Sequence, residues 1–279
     1  EVTSPDRASQ RGGLVTSSTT GEKKDASAVL KRLVTRFASR AFRRPVASDD
    51  VADYQQIGLD VLSENGSFVD ALRAAYRSIL CSPRMLTFVE SPGPLDDYAI
   101  ASRLSYALWT DMPDETLLRL AGEGKLRRNE VLGTQIDRML DDPRSKQFIN
   151  SFTDQWLKLN QIDFTTPDIR QFRTFDPVLQ ESMIQETRAY FTKLIKQDLS
   201  VTHLVDSDFA CLNERLVRHY RVTDDIRGWQ PGNGIQTVSL SPSSRRGGLV
   251  TQGAILKVTA DGTTTSPVVR GVFVNERIL

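Results

Sequence analysis

The sequence has few of the residues that build metal and disulfide sites. Its 279 residues include two cysteines and two histidines, which is too few for a disulfide framework, and they lack the spacing of metal ligands. Neither Cys81 nor Cys211 lies in a Cys-x-x-Cys-His haem-attachment motif. Two interpretations stay open for the pair: buried free thiols, or one disulfide that would indicate an oxidising compartment.

Long apolar runs and an excess of one charge are also missing. No stretch approaches the roughly 20 apolar residues of a transmembrane helix, so we expect no membrane span. The net charge is +1, and nucleic acid is therefore not an expected partner. No HExxH, Walker, GxSxG or GxGxxG motif occurs. The sequence thus offers no recognisable catalytic motif and no candidate metal or cofactor site, and whether the chain is an enzyme stays open.

Apolar residues recur at helical spacing through most of the chain. Prolines flanked by acids, as at Asp142-Pro143 and Asp176-Pro177, favour helix starts, because proline at the first helical position loses no hydrogen bond and an acid complements the helix dipole. Residues 235–240 alternate between apolar and polar, which is typical of a short strand. The pattern predicts an all-α, bundle-like fold with a short β element near residues 235–240.

Breaks in this pattern divide the chain into four segments. Residues 1–24 are polar and predict a disordered leader or linker. Residues 25–90 predict a small three-helix unit, and residues 95–222 predict a central helical domain. Residues 223–279 are loop-rich, and Ser266-Pro267 starts a last helix there. Because that helix reaches the last residue without a stop signal, we expect the chain to be part of a larger protein.

Five strings, in order along the chain, carry a family resemblance. They are FASRAFRRP with ILCSPRML (37–45 and 79–86), LDDYAIASRLSYALWTDMPDETLLRLAGEGKL (95–126), DDPRSKQFINSFTDQWLKL (141–159), LNERLVRHY (212–220) and the segment from RGGLVTQG (246–279). The first four resemble planctomycete-type domains of unknown function that accompany cytochrome c modules in large secreted bacterial proteins. The last resembles the start of a cytochrome-like unit.

The resemblance implies a periplasmic or extracellular protein. It implies c-type haem in the full-length protein, with a haem-attachment motif expected downstream of Leu279, so no haem ligand is carried onto this chain. The implied partners are neighbouring domains of the same polypeptide, including a cytochrome c module. The resemblance supplies no catalytic residue.

The remaining candidates for chemistry or for structural roles are few. Glu214 and His219 are weak acid/base candidates on a helix where each also has an arginine four residues away. Gly247-Gly248 is either an anion nest or a turn before a helix. Arg103 lies in an apolar helix and predicts a buried ion pair with an acid of another helix. The predicted structural residues are Arg103, Trp109, Pro113, Trp156, Ser266 and Pro267.

These observations support three hypotheses about function. The first is a non-catalytic helical scaffold that positions neighbouring modules. The second is an extracytoplasmic enzyme, polysaccharide-acting or redox-linked, that uses acids between helices; the acids named for it are Asp97, Asp114 and Glu214. The third is a basic interaction module; its residues are Arg36, Arg40, Arg43 and Arg44.

Overall fold

The computed structural model describes residues 15–279 apart from Ser91 and Asn233, with side chains from Asp25 onward. Helices account for 62% of the structure, and its sheet has three short antiparallel strands. The predicted mostly helical fold with a short β element is therefore confirmed.

The chain forms two compact units. The N-terminal unit holds the described residues up to Tyr106 together with Asp111–Leu132, and the C-terminal unit holds Ala107–Thr110 with Gly133–Leu279. Residues on both sides of positions 222–223, such as Val217 and Ile226, belong to one hydrophobic core of the C-terminal unit. The divisions at residues 90–95 and 222–223 stay predictions.

Among the described residues of the N-terminal unit, helices are the only regular secondary structure. Its elements are α1 (Val15–Ala41), α2 (Ser48–Ser63), α3 (Phe68–Leu80), α4 (Pro83–Leu86), most of α5 (Asp97–Trp109), α6 (Glu115–Gly122) and the start of α7 (Asn129–Asp141). Small and branched side chains on α1–α3 form a closed core, among them Leu30, Val34, Val51, Ala75 and Ile79.

Helix α1 begins at Val15 rather than at Asp25 as predicted. Residues 15–24 contain no proline, so nothing stops the helix from extending toward the N-terminus once its packed half has formed. The rest of the predicted leader, residues 1–14, lies outside the described residues.

Arg43, just after the end of α1, is the most enclosed cation among the described residues of the N-terminal unit. It is 5% exposed, and its guanidinium donates to the backbone oxygens of Ala41, Arg84, Met85 and Thr87 at 3.1–3.2 Å. Arg43 therefore does not belong to a basic interaction surface, because its charge points into the protein rather than toward a partner. The reason is that carbonyls at the C-terminal ends of α1 and α4 lack helical donors, and a charged guanidinium supplies them.

Arg44 is paired with an acid and so does not contribute an unpaired charge to a basic surface. Its two terminal nitrogens donate to the carboxylate of Asp96 at 3.0 and 3.2 Å. Arg36 and Arg40 remain exposed on α1.

The C-terminal unit combines helices with the small sheet. Its further elements are α8 (Lys146–Trp156), α9 (Pro177–Lys196), β1 (Phe209–Leu212), α10 (Glu214–Tyr220), β2 (Ile226–Arg227), β3 (Gln236–Leu240), α11 (Gly253–Val258) and α12 (Pro267–Arg277). The strand order is β1-β3-β2, with Phe209 opposite Ser239 and Ile226 opposite Leu240. The alternating segment at 235–240 becomes β3, whereas β1 and β2 are too short to show a period.

The core of the C-terminal unit is built around α9. Leu179, Met183 and Tyr190 of α9 belong to one buried cluster with Ile255 of α11 and Phe273 of α12. Residues 246–279 thus supply part of this core. They bring α11 beside α9 and so form one wall of the cleft described below.

We expect Arg43→Gln to lower the free energy of unfolding by about 2–4 kcal/mol, because charged hydrogen bonds are worth roughly 1.5–3 kcal/mol each and buried carbonyls lose their donor. Arg40→Gln, an exposed change on the same helix, should stay within about 0.5 kcal/mol of wild type. Urea unfolding followed by far-UV circular dichroism measures both. Equal stabilities for the two variants would contradict the role of Arg43.

Candidate functional site

The C-terminal unit contains a cleft of about 420 Å³. Its apolar lining includes Phe172, Phe175, Met183 and Leu256, and its polar lining includes threonine hydroxyls and several cationic side chains. No aspartate or glutamate is among the described residues that line it. A cavity of this size, apolar with a few converging polar groups, is typical of small-molecule sites.

A threonine-rich loop forms the rim of the cleft. The carboxylate of Asp261 accepts hydrogen bonds from the backbone N–H and the hydroxyl of both Thr264 and Thr263 at 2.6–3.0 Å. These bonds, those from the Thr264 and Thr263 N–H groups first, hold the pKa of Asp261 well below its usual range. The acid therefore acts as the anchor of the loop, and the Thr263–Thr265 side chains border the cleft.

Gly262 allows this loop to lie against the opposite wall. Its φ of 95° is in the left-handed region, and an added Cβ would lie 2.5 Å from the carbonyl oxygen of Thr166. The Gly262 oxygen accepts a hydrogen bond from the N–H of Asp168 at 2.9 Å. The segment Asp261-Gly262-Thr263-Thr264-Thr265 is thus fixed at both of its sides.

Beneath the cleft, a buried carboxylate joins three helices. Glu186 of α9 is 3% exposed and accepts a hydrogen bond from the hydroxyl of Tyr220 of α10 at 2.5 Å. The N–H of Gly253, the first residue of α11, donates to that hydroxyl at 2.7 Å and to Glu186 Oε2 at 3.4 Å. We call Glu186, Tyr220 and Gly253 the buried triad.

The buried triad leaves no room for a side chain at Gly253. A Cβ there would lie 2.5 Å from the Tyr220 hydroxyl and 2.8 Å from Cγ of Met183. The glycine lets α11 approach α9 and α10 closely enough for its first N–H to reach the carboxylate.

Burial dominates the proton affinities within the triad. It raises the pKa of Glu186 to about 7, against the smaller opposing effects of the Tyr220 hydrogen bond, the Arg246 charge and the Gly253 N–H. The pKa of Tyr220 is raised well above its ordinary value, first by burial and then by the charge and hydrogen bond of Glu186. Both side chains therefore favour their protonated forms.

Arg246 and Arg270 bring positive charge to the cleft wall. The guanidinium carbon of Arg246 lies 3.4 Å from the centre of the Tyr220 ring, and its Nη1 donates to the Thr251 oxygen at 2.8 Å. Arg270 donates to the hydroxyls of Thr259 and Thr265 at 3.3 and 2.6 Å. Within the described part of the chain, neither arginine forms an ion pair with a carboxylate.

Lys257 lines the same wall of the cleft, but its ammonium group is used in contacts within the protein. It is 8% exposed, and its ammonium donates to the backbone oxygens of Ile162 and Thr165. Burial lowers its pKa more than the charge of Asp163 raises it. The ammonium fastens α11 to the loop that precedes α9.

Of the two acid/base candidates, only His219 lines the cleft. Desolvation, followed by the charges of Arg246 and Arg215, lowers the pKa of His219, so the ring is neutral at and above pH 7. Its surface remains partly open to solvent. Glu214 is instead engaged in an ion pair with Arg218, four residues along α10.

The other acids named for an enzyme also make structural contacts. Asp97, which is 5% exposed, accepts a hydrogen bond from Arg127 at 3.1 Å. Asp114 caps α6 by accepting from the N–H of Leu117 at 2.9 Å. Neither residue lines the cleft.

Arg103 does form an ion pair, with Glu90, but the predicted burial is wrong. Its side chain is 55% exposed, and Glu90 lies in the loop before α5 rather than on another helix. Its buried neighbours Ala101 and Ser105 face the core, while Arg103 itself lies on the solvent side of α5.

The remaining predicted structural residues cap helices or join one helix to another. Trp109 is buried, donates from Nε1 to the Met139 oxygen at 3.0 Å, and lies under the guanidinium of Arg144. Trp156 donates from Nε1 to the Arg277 oxygen, which joins α8 to α12. Ser266 caps α12 at the N–H of Val269, with Pro267 in first position. Pro113 is buried just before α6.

Gly247-Gly248 is a turn rather than an anion nest. Its N–H groups donate to the hydroxyls of Thr251 and Ser207 at 3.2 and 3.1 Å. Both donors are thus already used inside the protein, where the turn leads into the 3₁₀ helix Leu249–Thr251.

The cysteines are free thiols. Cys81 is exposed and Cys211 is buried, and burial raises the pKa of Cys211 to about 11. The disulfide that the sequence left open is therefore absent. In the part of the chain that the structure describes, no cluster of His, Cys, Asp or Glu could hold a metal ion. None of the described helices is long and apolar enough to span a membrane.

The buried triad and Arg246 were missed by the sequence analysis. A signal for Glu186 was present, because it follows Met183 by three residues and precedes Tyr190 by four, which places a carboxylate on the core face of α9. No local pattern identifies Arg246, since its place beside Tyr220 depends on contacts between distant segments.

Two segments match families of unknown function. Residues 29–90 match the family described as PSD5, protein of unknown function (DUF1595), and residues 95–222 match PSD4, protein of unknown function (DUF1592). These matches confirm the resemblance to planctomycete-type domains of unknown function. No curated protein and no solved structure matches the chain.

Tyr220→Phe should lower the free energy of unfolding by about 1–3 kcal/mol, because it leaves the Glu186 carboxyl and the Gly253 N–H without their shared partner. The three tryptophans all lie in the C-terminal unit, so urea unfolding followed by tryptophan fluorescence reports on that unit. Lys196→Gln, an exposed change on α9 of the same unit, is the control and should leave the stability unchanged. Unchanged stability of Tyr220→Phe would contradict the importance of the triad.

Proposed function

We propose that the chain is a non-catalytic helical scaffold segment whose C-terminal unit binds a small organic anion in the cleft. The observation that carries the proposal is the charge pattern of the lining: Arg246 and Arg270 border an apolar cavity without a carboxylate among the described lining residues. A ligand that is complementary to this lining has an anionic group and an apolar body.

Arginine suits this role because its guanidinium is planar and always charged, and because it binds carboxylate, sulfonate or phosphate through paired N–H groups. The guanidinium of Arg246 donates one hydrogen bond, to the Thr251 oxygen, and stacks on Tyr220, so it retains further donors for a ligand. The Thr263–Thr265 hydroxyls at the rim supply additional donors of neutral character.

The apolar part of the ligand is expected against the apolar part of the lining. Phe172, Phe175 and Leu256 belong to it, and Phe172 is 44% exposed. Covering such surface contributes roughly 25 cal/mol per Å² of apolar area. An apolar body therefore adds affinity that the anionic group alone would not have.

The resemblance supports a proposal for the setting of this scaffold. We place the segment in a larger periplasmic or extracellular bacterial protein, next to neighbouring domains that include a cytochrome c module with c-type haem. In that setting the anion cleft and the haem are carried by different parts of one polypeptide.

The setting is tested on the native full-length protein from a producing bacterium. We expect it in the extracytoplasmic fraction, with covalent haem that survives denaturing electrophoresis and gives a peroxidase-active band. A cytoplasmic protein without covalent haem would contradict the proposed setting and leave the cleft unaffected.

The anion site is tested by calorimetric titration with benzenesulfonate, which stays ionised at all working pH values. Arg246→Gln should weaken binding by about tenfold or more, since a charged hydrogen bond is worth roughly 1.5–3 kcal/mol. Arg245→Gln changes the exposed neighbouring arginine and should bind as wild type does. Neutral benzenesulfonamide should bind more weakly than the sulfonate.

Either of two outcomes would overturn the anion site. One is the absence of binding by benzenesulfonate, phenylacetate and phenyl phosphate alike. The other is an equal loss of affinity in the Arg245 and Arg246 variants, which would indicate attraction by the general surface charge. Circular dichroism of each variant shows whether its fold is intact.

A further inference from the structure

The positive charge of Arg246, which we propose binds the ligand, also acts on the buried carboxyl group of Glu186. Among the described residues, no arginine or lysine lies within ion-pair distance of Glu186, whose hydrogen-bond donors are the neutral Tyr220 hydroxyl and Gly253 N–H. The compensating charge that acts on Glu186 is that of Arg246, which stacks on the Tyr220 ring and lines a small cavity together with Glu186. Arg246 thus faces the cleft while its field stabilises an ionised Glu186.

We infer that Glu186 couples anion binding in the cleft to the uptake of one proton, because its carboxylate and the ligand compete for the charge of Arg246. This inference rests on the proposed anion site and adds its regulation. When an anion binds at Arg246, its negative charge disfavours ionised Glu186. By linkage, protonation of Glu186 strengthens anion binding by the same factor.

Among the described residues, four groups act on Glu186 from the surrounding elements. They are Tyr220 from α10, the Gly253 N–H from α11, Arg246 from the turn before α11 and Cys211 from β1. Tyr220 and Cys211 have raised pKa values and stay neutral near pH 7. Arginine stays charged throughout. Glu186 is therefore the group of this set that changes charge near neutral pH.

The sign of the pH dependence follows from the raised pKa of Glu186, about 7. Below that pH the carboxyl is protonated and Arg246 is fully available to the ligand. As pH rises through 7, Glu186 ionises and anion affinity falls. His219 has a lowered pKa, so its protonation would add to the affinity only at more acidic pH.

The test is the affinity for benzenesulfonate between pH 6 and pH 8.5 by calorimetry, in Bis-Tris, imidazole and Tris. These buffers are cationic and do not compete for the site. Wild type should lose about fivefold or more in affinity across this range, the lower end of typical coupling. Glu186→Gln, which mimics the protonated carboxyl, should bind tightly and with little dependence on pH.

Proton uptake gives a second readout that needs no variant. At pH 7 the apparent binding enthalpy of wild type should differ between Bis-Tris and Tris, because each buffer releases the proton with a different ionisation enthalpy. The expected uptake is a fraction of one proton per ligand. This measurement keeps the inference falsifiable even if Glu186→Gln does not fold.

The outcomes separate the inference from the anion site itself. Binding with the same affinity at every pH and with no proton uptake would overturn the coupling and leave the site standing. A pH dependence that persists in Glu186→Gln and disappears in His219→Gln would assign the proton to His219 and also overturn the coupling. Failure of wild type to bind any of the anions would overturn the site and the coupling together.

Discussion

The architecture of the cleft depends on one buried contact, the hydrogen-bonded triad of Glu186, Tyr220 and Gly253. A carboxylate enclosed to this degree is costly unless it is protonated or well supplied with donors. Here the donors come from two other helices, so the cost of burial is met only when α9, α10 and α11 are in place together. The same contact fixes the ring of Tyr220, and through stacking it fixes Arg246 at the cleft wall.

The position of α11 is the consequence that matters most for function. Helices α11 and α12 follow the region matched by PSD4, yet their residues Ile255 and Phe273 lie in the core built by α9. Lys257, on the same helix, binds the carbonyls of the loop at 162–165. The cleft is therefore formed between the region matched by PSD4 and the residues that follow it, and neither part contains the site alone.

Much of the fold was predictable because its signals are local. Ser266 and Pro267 start α12 where the sequence predicts, and Asp176-Pro177 does so for α9, since capping and proline geometry depend on adjacent residues. Arg103 marks the limit of such local signals. The sequence predicted that it forms an ion pair, as it does with Glu90. Its exposure to solvent could not be predicted, because it depends on which face of α5 packs against neighbouring helices. Arg43 was taken for part of a basic surface because charge alone does not reveal that four carbonyls surround it.

The candidate site was the least predictable part for the same reason. His219 was singled out as a histidine on a charged helix, whereas its neighbours in the cleft come from residues 165–175 and 246–270. Those contacts have large sequence separations and no common motif. Of the site residues, Glu186 alone could be placed by helical periodicity, because it is an acid on an apolar helix face.

The most direct measurement of the central claim is a map of backbone amide chemical shifts as benzenesulfonate is added to the isotopically labelled protein. An anion cleft predicts that the largest changes fall on Gly253, on Thr263–Thr265 and on the loop at 165–175, and that they saturate together. Changes concentrated on the exposed arginines of α1, or spread without saturation over all basic residues, would contradict the account.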